Sequence, residues 1–311
     1  MKKMINTEHI EGRIYTQEIV SKTVQNPTSA NYGKEFLSGN LNIAVDEDGM
    51  NVITVHFTYV TPTTNAGKVN MTYTALSHIM KENKTWVEVG KDDAMMVKID
   101  TALALNDWYD QNNNLVSLKT NEGGFVTIVE KLCDESARNT FTMDMFITNT
   151  TKHEISEENN ISETYLSLNG AVFNFRNALL PVEFVIKNPY GMKYFEAADI
   201  SNSNPMFTKV WGRINSTTQI LETSEESAFG EPAIKTVERK TKEWVVTGTS
   251  KVTYDYPDEN YLTENDIVKA SQDRQVMLAE RKQQVINYRA NLNNVPASEI
   301  PKEIPHGNFN F

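Results

Sequence analysis

The sequence predicts a mainly β chain, organised as two β-rich units with short helices, then a polar helix and a flexible tail. Three observations carry that expectation. Apolar and polar residues alternate at period two through most of the first 260 residues. Helical spacing is confined to short segments. The strand pattern also lapses once, near the middle, and then starts again.

The elements follow in order. Leu41, Ile43 and Val45 alternate up to Asp46-Glu47-Asp48-Gly49, and Val52 to Tyr59 alternates back. Asp-Gly between two such runs reads as a hairpin turn, because glycine takes the positive φ that the turn needs. Tyr73, Leu76, Ile79 and Met80 fall at helical spacing, so a short helix over 69–82 is expected to plug an open end of the β structure. A second hairpin is expected over 115–132, turning at Asn121-Glu122-Gly123-Gly124. Residues 1–150 then form a first domain. Acidic and amide side chains gather over 148–162, and 151–162 reads as a solvated linker.

A second β-rich domain is expected over 163–262. Its Gly170-to-Phe175 and Leu180-to-Ile186 runs echo Gly39-to-Ile43 and Val52-to-Phe57, and Gly212-Arg213-Ile214 echoes Gly12-Arg13-Ile14. Duplication and chance are both open at this point. Thr263 and Asp266 make a capping-box-like start to a helix over 263–292. Its apolar stripe (Ile267, Ala270, Met277, Leu278, Val285) is thin and interrupted by Arg274 and Arg281, so light packing or none is expected. The tail, 293–311, carries Pro296, Pro301 and Pro305 and ends on Phe309 and Phe311, which read as a partner-docking tip.

Composition narrows the function. The 311 residues carry a net charge of −11, one cysteine and five histidines, so no internal disulfide forms and neither a metal centre nor a cofactor is expected. No apolar run reaches the roughly 20 residues of a membrane helix. The basic N-terminus has no hydrophobic stretch behind it, which points to a reducing cytoplasm. Phosphate loops, nucleophile elbows and zinc-protease motifs are absent, so no enzyme is expected. Carboxylate pairs such as Asp46/Asp48 sit in turn-like surroundings, and Cys133 beside Asp134 and Glu135 reads as inert.

What remains is aromatic residues interleaved with basic ones on β-patterned segments. Such surfaces hold single strands, since each base has a face to stack and each phosphate a charge to meet. The candidates are Arg13, Tyr15, Lys22, Trp108, Arg176, Lys193, Tyr194, Lys209, Trp211, Arg213, Lys240 and Lys242. Over half of the aromatic residues in these strands are expected to be core instead. The charge is segregated: three basic residues (Arg13, Lys22, Lys34) face one acid (Glu18) between 13 and 34, whereas the central segment is acidic.

Gly12-Arg13-Ile14-Tyr15, Ser38-to-Ala44 with its acidic turn, Thr54-to-Val60 and Lys209-to-Ile214 resemble single-stranded DNA-binding proteins of tailed bacteriophages. The resemblance implies one or two OB-fold-like small barrels, partly open and five-stranded. It also implies a non-catalytic role, coating single-stranded DNA during phage replication and recombination, with a C-terminal tip that recruits partner proteins. The tip departs from the usual acidic pattern, since Gly307 to Phe311 holds no acid. A virion or tail β-sandwich is the competing reading. An enzyme acting on carbohydrate through paired carboxylates is a third.

Overall fold

In the computed structural model the backbone is described for residues 3–156, 162–225 and 233–292, and side chains within them except at 155–156, 162–163, 218–225, 233–240 and 291–292. The chain is mainly β. Period-two burial builds β1 (Asn6–Gln17), β3 (Glu35–Ala44) and β4 (Val52–Val60), while the short β2 (Val20–Thr23) is exposed throughout and pairs with β3. Helices α1 (Met71–Glu82) and α2 (Trp86–Val89) follow, then β5 (Met96–Tyr109) and β6 (Leu115–Ile128). The second half runs β7 (Asn139–Ser156), β8 (Ser162–Phe173), β9 (Leu179–Ile186), α3 (Pro189–Ala197), β10 (Met206–Glu225), β11 (Ala233–Thr249) and α4 (Glu264–Leu292).

Hydrogen-bond pairing arranges these strands in two five-membered rings. The first runs β1-β3-β4-β6-β5 and back to β1, with β2 added at the edge of β3. The second runs β7-β8-β9-β11-β10 and back to β7. Each ring closes its third and fifth strands by a short parallel contact, Val55 opposite Asn121 and Val185 opposite Val245. Each also carries a helix between its third and fourth strands, α1 or α3. Strand order and helix position are those of an OB-fold in both halves. The rings join where the two first strands, β1 and β7, pair antiparallel.

The same backbone geometry recurs in both. Asn6 Nδ2 donates to the Leu103 carbonyl at 2.9 Å, and Asn139 Nδ2 donates to the Ile214 carbonyl at 2.8 Å, each from the start of a first strand to the facing fourth strand. The Glu11 N–H bonds the Arg138 carbonyl, and reciprocally the Asp144 N–H bonds the Ile5 carbonyl. A bulge follows Ile14 in β1 and Ile147 in β7. Through these registers Leu41-Asn42-Ile43-Ala44 matches Leu168-Asn169-Gly170-Ala171. The expected echo therefore lies on equivalent strands but is displaced by four residues, Ile43 rather than Gly39 being the counterpart of Gly170. The echo of Gly12 in Gly212 joins a first strand to a fourth, which are not equivalent.

Several expectations change here. Residues 151–156 and 162 are no linker, because they carry the end of β7 and the start of β8, paired from Phe146–Ala171 to Ser156–Ser162. Thr151, Lys152 and Glu154 are exposed there, in keeping with the polar composition. Residues 139–150 belong to the second ring, so the units divide before β7 and not at 150. Asn121-to-Gly124 is no turn but the middle of β6. A Cβ at Gly123 would meet the Phe57 ring at 2.3 Å, and one at Gly124 the Asp100 carbonyl at 2.7 Å. Close packing, not chain reversal, requires those two glycines.

One hydrophobic core crosses both rings, running from Ile10, Leu41 and Phe57 to Phe184, Val210 and Trp244. Each ring also lends a hairpin to the other. Lys119 of β6 donates to the Glu183 carbonyl of β9 at 2.5 Å, and Ser216 N of β10 donates to Asn51 Oδ1 at 2.9 Å. Helix α4 begins with the expected Thr263/Asp266 exchange, each side chain meeting the other's backbone or hydroxyl. Its apolar stripe packs lightly, as expected, with Met277 left exposed. Ile267 and Ala270 join a second cluster with Met4, Phe146, Phe207 and Leu262. Further along, Arg274, Arg281 and Arg289 reach the β5–β6 hairpin. The tail, with Phe309 and Phe311, lies outside the described residues.

Candidate nucleic-acid interface

The outward face common to β10, β7, β1 and β5 runs across both rings. Residues directly opposite one another in paired strands point to the same side. One row is Trp211, Thr142 and Thr7, and the next is Arg213, Thr140, His9 and Asp100. Lys209 stands two residues before Trp211 on the same side of β10, opposite Asp144. The floor between them is largely threonine, and Thr7, His9, Asp100, Thr140 and Thr142 help line a shallow cavity of about 320 Å³.

Trp211 is 40% exposed at the edge of this floor. A Cβ on Gly248, opposite it on β11, would fall 2.5 Å from the indole nitrogen, so the ring lies against the glycine backbone. That contact fixes the indole with one face toward solvent, the posture that stacking on a base requires. Arg213 donates to the Ser136 carbonyl, which holds the 133–138 loop to the same edge. Beneath Lys209, the Asp144 carboxylate takes hydrogen bonds from the Ile5 N–H at 2.8 Å and the Tyr254 hydroxyl at 2.9 Å. Burial and that carboxylate push the Tyr254 phenol up to about 12, so it stays a donor.

The remaining candidates divide. Arg13 and Tyr15 continue the outward side of β1 beyond His9 and Glu11, both half-buried, with Tyr15 tilted against Trp86 at 5.9 Å. Arg13 keeps Nε and Nη1 buried without a hydrogen-bond partner among the described residues. Trp108, 37% exposed, has the parity of Lys98 and Asp100 on β5 but stands near the hairpin tip. Lys22 is exposed on the edge strand β2. Arg176 lies over Phe175 in the β8–β9 turn, its guanidinium 5.1 Å from the ring. Lys193 and Tyr194 are exposed on α3. These four are not brought onto the common face. The side chain of Lys240 lies outside the described residues.

Lys242 is a correction. It lies on the side of β11 shared with Trp244, its ammonium 5.0 Å from that ring and donating to the Lys119 carbonyl at 3.3 Å. Burial pulls its pKa down despite the attraction of Glu8. Lys119 sits 4.9 Å from the same ring, and burial lowers it to about 8. Trp244 itself is fully buried and donates to Glu8 at 2.8 Å. The Lys-x-Trp spacing here serves the contact between rings and leaves no ammonium free on the surface.

Comparison with known proteins follows from this geometry. The model of the YorF family matches residues 6–284. The chain belongs to the YorF family. The match spans both rings and α4 as far as residue 284, so the contacts of Arg274 and Arg281 fall within it and that of Arg289 lies beyond it. No curated protein matches the sequence. Among solved structures, a deletion variant of the single-stranded DNA binding protein from Thermus aquaticus is similar at 12% identity and a TM-score of 0.46. The likeness covers 83% of this YorF-family chain and 100% of the other. At that level no function passes from one chain to the other.

Proposed function

We propose that the chain is a non-catalytic single-stranded DNA-binding protein that coats exposed strands, in the setting of phage DNA replication and recombination. The observation that carries this reading is the grouping of Lys209, Trp211 and Arg213 on one face of β10, beside a threonine floor that crosses both rings. A stacked base contributes roughly 1–3 kcal/mol, and Lys and Arg beside the ring meet the phosphates on either side. Two OB-ordered rings are a scaffold suited to that task, because their open faces accept an extended chain without reading base edges. In this reading Arg13 and Tyr15 extend the path along β1. The C-terminal Phe309 and Phe311 recruit a protein partner, and the work takes place in the host cytoplasm. A virion β-sandwich would stack two open sheets, whereas these strands close two rings.

Fluorescence anisotropy of labelled oligo-dT at low and moderate salt tests the reading. The intact chain is expected to bind with an affinity that falls steeply with salt. Trp211→Ala is expected to weaken binding roughly 10-fold or more, and Arg213→Ala to flatten the salt dependence. Unchanged affinity in folded variants of both residues would remove this assignment.

A further inference from the structure

We infer that His9, Glu11 and Cys133 form a binding site for a borderline divalent transition-metal ion, with Zn²⁺ as the expected occupant. His9 and Glu11 are two apart on β1 and share its outward face. Cys133 is distant in sequence but arrives beside them because the Glu11 N–H bonds the Arg138 carbonyl at 2.7 Å, drawing the 133–138 loop along β1. The Cys133 N–H then donates to Glu11 Oε1 at 2.5 Å. One ligand atom from each of the three side chains lies within 4.8 Å of the others.

Two carboxylates flank the imidazole in this cluster, an arrangement that favours a cation. Glu11 is only 6% exposed, and its Oε2 faces His9 Nε2 at 3.4 Å. On the far side of the imidazole, Nδ1 faces Asp100 Oδ1 at 3.5 Å, so this carboxylate can accept the Nδ1 proton when Nε2 binds a metal ion. The second ring supplies an internal comparison, since Asp144 is the counterpart of Glu11. There one oxygen takes a backbone N–H and the other a tyrosine hydroxyl, so both are satisfied by donors. At Glu11 the place of that hydroxyl is taken by an imidazole and a thiol, both metal ligands.

An imidazole nitrogen, a carboxylate oxygen and a thiolate suit a tetrahedral Zn²⁺ with one position left for water or another ligand, and do not suit Mg²⁺ or Ca²⁺, which prefer all-oxygen sites. Arg138, close by, is engaged with Glu47 at 2.8 Å and with the Cys133 carbonyl at 2.8 Å. Burial and the Glu11 carboxylate hold the Cys133 thiol above its ordinary range, so the free site keeps its proton. On binding, the S–H bond breaks, the proton passes to the buffer and a sulfur–metal bond forms. About one proton is therefore expected to be released per ion bound.

The test uses the full chain stripped with a chelator, then titrated with Zn²⁺ by calorimetry in two buffers of different ionisation heat and with Co²⁺ by absorption. One ion per chain is expected, with a thiolate-to-cobalt charge-transfer band in the near ultraviolet. Cys133→Ser should abolish the band, and His9→Ala should abolish stoichiometric Zn²⁺ binding. Both positions are only half-buried, so the variants should keep their fold, which circular dichroism verifies. Binding that survives both substitutions, or no stoichiometric binding by the intact chain, would overturn the site.

Discussion

Trp211 depends on a residue that never touches the proposed ligand. With Gly248 behind it, the indole lies close against β11; a methyl group there would occupy the space of the ring. Gly248→Ala is therefore expected to lift the indole and to weaken oligo-dT binding nearly as much as Trp211→Ala, with little change in melting temperature. With Trp86 and Trp108 replaced by phenylalanine, quenching of tryptophan fluorescence by oligo-dT should also fall with Gly248→Ala, since the remaining Trp244 is fully buried. If Gly248→Ala bound and quenched like the parent chain, the indole's posture would not matter. Trp211 was legible in the sequence because basic residues stand two before and two after it on one strand face. Lys242 and Trp244 show a similar spacing, yet both turn toward the other ring. A strand pattern reports which residues share a face and not whether water or a neighbouring ring covers it.

At the scale of elements, α4 shows how a helix with a thin apolar stripe can still dock. Arg274 reaches Asp107 at 3.0 Å with side-chain exposures of 12% and 3%, a buried ion pair. Arg281 donates to the Asp107 carbonyl at 2.8 Å and Arg289 to the Tyr109 carbonyl at 3.0 Å, while the Tyr109 hydroxyl donates back to the Leu278 carbonyl at 3.0 Å. The arginines that interrupt the stripe are thus the contact itself. Removing one partner of a buried pair strands the other charge, which typically costs about 3–5 kcal/mol. Arg274→Ala should show a loss of that order in urea unfolding, and the double variant with Asp107→Asn should recover part of it. Equal stability of Arg274→Ala and the parent would mean that the helix does not hold the hairpin. The capping box and α1 were legible because caps and helical spacing are local signals. The docking was not, because Asp107 is far away in sequence and on a strand.

For the whole molecule, the boundary that composition placed at 151–162 does not separate two cores, because Ile10 and Phe57 share one cluster with Phe184 and Trp244. Glu8 lies at that junction, taking hydrogen bonds from Thr101 Oγ1 at 2.7 Å and from Trp244 Nε1, across the rings, at 2.8 Å. Burial raises its pKa to about 7, with the two hydrogen bonds and Lys242 pulling the other way. Between its ordinary value of 4.5 and about 7 the unfolded chain has released a proton that the folded chain keeps, so this group makes stability fall as pH rises through that window and level off above it. Glu47 acts in the opposite sense. Hydrogen bonds from Lys91 and Arg138 hold it near 2, so its contribution is present above 4.5 and is lost as pH falls toward 2. Glu8→Gln removes the first effect and leaves the second. Its amide carbonyl can still accept from Trp244, and its N–H can donate to the Thr101 hydroxyl. The variant should gain melting temperature relative to the parent, and the gain should be larger at about pH 8 than at about pH 5. A pH-independent difference in melting temperature would show that Glu8 does not keep its proton at the junction.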